Sequence, residues 1–184
     1  MKNYAIIIFS LLLCYNLCSQ NNFSFTGSLE INGQTFLEDS SIGAEQRDPS
    51  FNSHLNLLIN YKDYLTIGSR LDLYANPIPG FEPYENLIID SNGITVGDII
   101  ANRYLQFQKW NLDVTVGNFY DQFGSGIIFR TYFDPTLGID NSVDGVKIKY
   151  NPLPGIDLTA LIGKQRDYWN SEDSTRGTVR GFDA

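Results

Sequence analysis

The chain has 184 residues, with 13 basic against 21 acidic side chains and a formal net charge of −8. That balance excludes a nucleic-acid binder, which needs a basic footprint. The length is that of one domain, and no apolar run approaches the roughly eighteen residues of a membrane helix.

Residues 1–20 read as a cleaved secretory signal peptide. Lys2 gives a short positive start, and Ala5 to Cys14 form an apolar stretch too short to span a bilayer. Cys18 and Ser19 supply small residues before a cut after Gln20. The competing reading is a buried N-terminal helix. A lipoprotein signal fits poorly, because Leu13 and Leu17 precede the two cysteines. Both Cys14 and Cys18 leave with the leader, so the mature chain, residues 21–184, has no disulfide and no thiolate chemistry. Export without disulfides suits a bacterial envelope protein. The mature chain keeps twelve basic residues against 21 acidic ones, a formal charge of −9 that is spread out as in solvated loops.

From Phe23 onward the repeat is of period two. Phe23, Phe25, Leu29 and Ile31 alternate with Ser24, Thr26, Ser28 and Glu30. The same holds for Leu55 to Ile59, Leu65 to Leu73, Leu105 to Phe107, Leu112 to Val116, Val146 to Tyr150 and Ile156 to Ile162, with a weaker segment from Arg176 onward. A strand sends successive side chains to opposite faces, so these segments predict an all-β chain. Tyr61-Lys62-Asp63 keeps Ile59 and Leu65 on one face, and Trp110-Asn111 does so for Phe107 and Val114. Asn151-Pro152-Leu153-Pro154-Gly155 is rich in turn formers. The other connections, 32–52, 75–101, 121–142 and 165–175, are long.

Strict alternation of short and long connections is the habit of transmembrane barrels. Tyr61, Tyr64, Trp110 and Tyr150 stand beside the short turns, where an interfacial girdle of half-polar rings belongs. The expected fold is therefore all-β: an antiparallel up-and-down transmembrane β-barrel over residues 21–184. The rival is a secreted, soluble β-sandwich that binds glycan or protein; its alternation is similar, but its loops need not sort by length into two ends.

The stretch VTVGNFYDQFGSGIIFRTYFDPTLGIDNSVDGVKIKY, with GIDLTALIGKQRDYW and GTVRGFDA, resembles the N-terminal part of the DUF6029 family, uncharacterised proteins of Bacteroidota. The resemblance implies an outer-membrane, porin-like barrel longer than this chain, with no assigned activity. More loosely, GVKIKY and the glycine-rich segment resemble strands of alginate-export-type porins. The pattern stops in mid-course at Phe182-Asp183-Ala184, so the chain is expected to be a fragment of a larger barrel, of about 14 or more strands.

Within residues 117–133, the strand from Leu112 continues to Tyr120, and the apolar segment 126–133 allows two placements. As one more strand, Ile127, Phe129 and Phe133 face lipid and Arg130 faces the lumen. As a long loop folded into the barrel mouth, the segment presents Arg130 at a constriction. Gly124, Ser125 and Gly126 break the alternation. A further strand would break the order of short and long connections, which favours the loop, whereas period two from Ile127 to Phe133 favours the strand. An inward loop needs a barrel wider than eight strands, which fill their own interior.

No catalytic set is legible. His54 belongs to a polar face, and Ser125 lacks the glycine spacing of a nucleophile elbow. Asp140-Asn141-Ser142-Val143-Asp144-Gly145 matches the first half of a calcium loop, but Asn151 stands where a bidentate glutamate is needed, so a polar turn is the better reading. The candidate pore-lining residues are Arg70, Asp72, Asp113, Arg130, Lys147, Lys149, Asp157 and Arg180, joined by Glu30. Charges of both signs on a wet wall favour polar solutes. The expectation is a non-enzymatic outer-membrane protein without cofactor. It passes small polar solutes or joins other envelope proteins, and its other partner is outer-membrane lipid.

Overall fold

Period-two alternation produces one sheet with two unlike faces. The computed structural model describes residues 22–43, 45–78, 87–90, 93–95, 99–166 and 177–184. The expected leader, residues 1–20, lies outside them, as do parts of the long connections over 75–101 and 165–175. The strands are β1 (Phe23–Phe36), β2 (Arg47–Tyr61), β3 (Leu65–Ala75), β4 (Leu87–Asp90), β5 (Gly93–Thr95), β6 (Ile100–Lys109), β7 (Leu112–Phe119), β8 (Phe133–Asp134), β9 (Ile139–Asp140), β10 (Val143–Leu153), β11 (Ile156–Gln165) and β12 (Thr178–Asp183).

Eight of these form an antiparallel meander in the order β1-β2-β3-β6-β7-β10-β11-β12. Each of the seven periodic segments, and the weaker one near the end, became one meander strand. Over the described residues the sheet is open, because β1 pairs only with β2 and β12 only with β11. The short turns and long connections alternate as expected, so all the long ones emerge at one end. At Trp110 and Asn111 both φ angles are positive, 54° and 62°, which is the left-handed pair that a two-residue hairpin requires.

The departures have local causes. β1 and β2 pair to Phe36↔Arg47, so the connection expected over 32–52 shrinks. Polar side chains on both faces hide the alternation there. β4 adds to β3 in parallel from Leu73↔Leu87, and β5 pairs with β4. These strands, and the two-residue pair β8 and β9, are too short to carry a period. In β10 the register shifts between Tyr150 and Leu153, which absorbs the proline of the expected five-residue turn and leaves only Pro154 and Gly155 between strands.

Register defines the two faces. His54↔Asp72, Asn56↔Arg70 and Arg70↔Asn102 share the polar face, as do Thr115↔Lys147 and Asp113↔Lys149. Phe25↔Ile59↔Ile67↔Leu105↔Val116↔Val146↔Ile162 run across the other face without a polar break.

A second line, Gly68↔Tyr104↔Gly117↔Gly145↔Gly163, crosses the polar face. Neighbours fill the spaces left by the missing side chains. The Tyr104 ring lies on Gly68, and a Cβ on Gly145 would overlap the Ile162 carbonyl. We expect Gly145→Ala to lose about 1–3 kcal/mol, because the added methyl meets backbone that cannot swing away. Gly27→Ala, whose Cβ meets nothing nearer than 3.6 Å, should stay within about 1 kcal/mol of the parent. Denaturant midpoints of both variants under the same conditions check the contrast.

Candidate functional site

The polar face is the buried one. Asn52 is 4% exposed, His54 3%, Arg70 4% and Asp72 1%, whereas Leu29 and Ile31 on the opposite face are each 62% exposed. The cover is the connection between β7 and β10, residues 120–142, folded back over the polar face. It turns at Gly124 (φ 51°) and Gly126 (φ 83°), closes a narrow bridge Gln122↔Arg130, and returns through β8 and β9.

Two anchors hold it. The dry one is a cluster of Phe119, Val143 and Leu161, against which Phe123, Phe129 and Val179 pack. Phe123 occupies the space that a Cβ on Gly181 would take. The polar anchor is Asp140. Its carboxylate meets Arg70 Nη2, accepts from Arg166 Nη1 at 2.8 Å and from the Tyr120 hydroxyl at 2.9 Å. Arg70 also donates through Nε and Nη2 to the two oxygens of Asp72, at 2.9 and 3.1 Å. Asp72 in turn sits 3.0 Å from His54 Nδ1. Arg166 Nη1 reaches the Ala101 carbonyl at 2.9 Å, and the Phe133 ring lies 3.7 Å from the Arg70 guanidinium. Two cations and two anions thus neutralise one another out of water.

A second group lies lower on the same face. Lys149 Nζ donates to Asp121 Oδ1 at 3.0 Å, and Lys147 Nζ stands 3.5 Å from Asp121 Oδ2. Gln106 Nε2 donates to Asp113 Oδ2 at 2.7 Å. Burial alone would raise the Asp121 pKa, but the hydrogen bonds from Lys149 and the Gln122 amide, with the charges of Lys147 and Lys149, hold it below the ordinary carboxylate range. Burial and then the charge of Asp140 push the Tyr120 hydroxyl up to about 12.

Of the candidate pore-lining residues, Arg70, Asp72, Asp113, Lys147, Lys149 and Asp157 share the polar face. Arg70 touches Asp72, and Lys147 and Lys149 face Asp121 of the covering segment, whereas Asp113 and Asp157 are held by the carboxamides of Gln106 and Asn151. Arg180 is a correction: it pairs with Ile162 on the apolar face. The alternation of β12 is set by Gly181, which must lie under Phe123, and this sends Arg180 the other way. Arg130 is exposed on the covering loop, with its guanidinium 4.8 Å from the Tyr132 ring. The lipid-facing strand considered for 127–133 does not form, because the two glycines reverse the chain. Phe133 instead lies against the Arg70 guanidinium and meets the His54 ring edge to face. Glu30, paired with His54, is on the polar face.

The structure adds Tyr120, Asp140 and Arg166 to the site. Sequence spacing ties none of them to Arg70. Asp140 was visible as the head of a calcium-like run, but its carboxylate faces two guanidiniums, which suits an anion holding cations of the protein itself. His54 has Asp72 as its hydrogen-bond partner among the described residues.

The girdle candidates gather at the short-turn end. Tyr61 and Tyr64 meet edge to face at 5.6 Å, Tyr64 lies 6.0 Å from Phe107, and Tyr150 is paired with Leu112 on the apolar face. Trp110 is 77% exposed, and the ammonium of Lys109 lies 4.5 Å from its ring.

Over residues 1–184 the chain matches a family described as of unknown function, DUF6029. Neither a curated protein nor a solved structure matches it.

Replacing Asp140 by Ala leaves two buried guanidiniums without their shared anion, and we expect it to cost about 3–5 kcal/mol. Protease cleavage within 120–142 and faster exchange of the Thr131 amide, which now bonds to Asp121 O, would report the release. Because the folded-state pKa of Asp121 is lowered, its contribution is complete above the ordinary carboxylate range and is lost as pH falls through the lowered value. The stability difference between the parent and Asp121→Asn should therefore be full at neutral pH and shrink below about pH 4. Denaturant midpoints from neutral to acid pH measure it.

Proposed function

This chain belongs to the DUF6029 family, and from that premise we propose that its sheet is a section of the wall of an outer-membrane β-barrel. Its charged face lines a water-filled interior, and its apolar face meets lipid. The protein is exported by a cleaved leader, carries out no reaction, and passes polar solutes or serves as a component of an envelope complex.

The observation that carries this reading is the inverted polarity of the sheet. A water-soluble sheet turns its apolar side inward. Here Ile67, Leu105, Ile148 and Ile162 are 42–47% exposed on an uncovered face, while Arg70 and Asp72 are buried. An exposed apolar surface spread over eight strands is far beyond the few hundred Å² that monomers usually leave in water. Hydrocarbon removes that penalty. The aromatic cluster at the short-turn end supports the same reading, since such rings favour the interface. Arg180, near the start of β12 at the long-loop end, is placed to extend toward headgroups.

Heat-modifiable migration in SDS gels, followed by conductance in planar bilayers, tests the proposal. A boiling-dependent shift and ion conductance are expected. A monodisperse, detergent-free protein with no shift would replace the barrel by the soluble sandwich. In lipid vesicles, Ile67→Arg should lower folding stability by about 1–2 kcal/mol, because Ile67 stands two residues from Leu65 at the aromatic end and short of the midplane. The neighbouring Thr66→Arg, on the wet face, should change it little. Equal effects of the two would remove the lipid assignment.

A further inference from the structure

Between the two charged groups the polar face holds a cavity of about 220 Å³. At about 30 Å³ per water it has room for about seven waters, which is space for a small solute. Asn102, Tyr104, Gln106, Thr115, Asn118, Tyr120 and Lys147 line it, with the Phe119 ring as its apolar side.

Its chemistry is narrow. Three linings are hydroxyls and three are carboxamides, of which Asn118 is already bonded to the Arg103 amide and the Ser142 hydroxyl. The Tyr104 ring is fixed by lying on Gly68, where a Cβ would overlap it. Much of the hydrogen-bonding capacity is unspent. Among the described residues the Tyr104 and Thr115 hydroxyls have no protein partner. The amide nitrogens of Asn102 and Gln106 donate to Tyr120 and Asp113, which leaves both amide oxygens open. The charged lining residue, Lys147, already faces Asp121. An anion would have to compete with that carboxylate, and a cation would meet an ammonium on the wall. Hydroxyls that both donate and accept, beside a ring fixed in place, match a solute that carries hydroxyls of its own around an apolar C–H skeleton.

We propose that this cavity binds a neutral, hydroxyl-rich solute of about one sugar ring. The proposal rests on the polar face lining a wet interior, and it names the solute class for that interior.

Saturation-transfer NMR on the whole chain, in a detergent without a sugar headgroup, tests it with glucose, glucuronate and glucosamine. These share one ring and differ in charge. Glucose should bind best. Thr115→Val and Tyr104→Phe each delete one hydroxyl while keeping shape, and each should weaken glucose by about three- to tenfold. Preference for glucuronate or glucosamine, no binding of any of the three, or variants equal to the parent would overturn the site. Heat shift and conductance are read on the same preparation. Protein that inserts and conducts without a glucose signal removes the site and leaves the barrel. A glucose signal from protein that does not insert supports the site and removes the barrel.

Discussion

A sheet can bury its hydrophilic side only if the charges on that side find partners. An isolated guanidinium or carboxylate out of water loses several kcal/mol of solvation, and only opposite charges with good hydrogen-bond geometry offset it. Asp140 meets that condition for two arginines at once, and Asp72 meets it for Arg70 while also hydrogen-bonding His54. The covering segment owes its position to this pairing. Without Asp140, which the segment itself supplies, Arg70 and Arg166 would be short of counter-charge. The ion network and the placement of residues 120–142 are therefore one fact seen from two sides.

The dry anchor and the polar anchor divide the work. Phe123 and Phe129 fix the outward limb of the segment against β7, β10 and β11, where contact is apolar and not directional. Asp140 and Tyr120 fix its two ends over β3 and β6 through directed bonds. Between them the tip carrying Ile127 and Ile128 stays about 90% exposed. The glycines on the sheet below make this possible. A side chain at Gly181 would occupy the place of Phe123, and one at Gly68 would displace the Tyr104 ring that bounds the cavity.

The meander itself was readable in the sequence. Period two fixed the segments, and the parity of the short turns fixed which residues share a face, because a slip by one residue would exchange the faces. The polar face, with Arg70, Asp72, Asp113, Lys147, Lys149 and Asp157 on it, was legible for the same reason. Arg180 was not, since β12 has only six residues and its phase depends on an aromatic ring from a distant loop. Asp140, Arg166 and Tyr120 were hidden for a related reason. Their significance lies in tertiary pairing, which leaves no spacing in the chain. The choice between strand and loop for residues 117–133 turned on glycine: period two from Ile127 to Phe133 argued for a strand, and the left-handed turns at Gly124 and Gly126 outweighed it.

The Arg70–Asp140 pair joins positions 70 residues apart, whereas each short-turn hairpin of the meander closes over a handful. Loop-closure entropy makes near neighbours meet first. The strands can thus zip successively from their tight turns, and the clasp can shut only after β3, β6, β7 and β10 already stand side by side. Assembly has a built-in order, in which the wall comes first and its inner lining is fastened last.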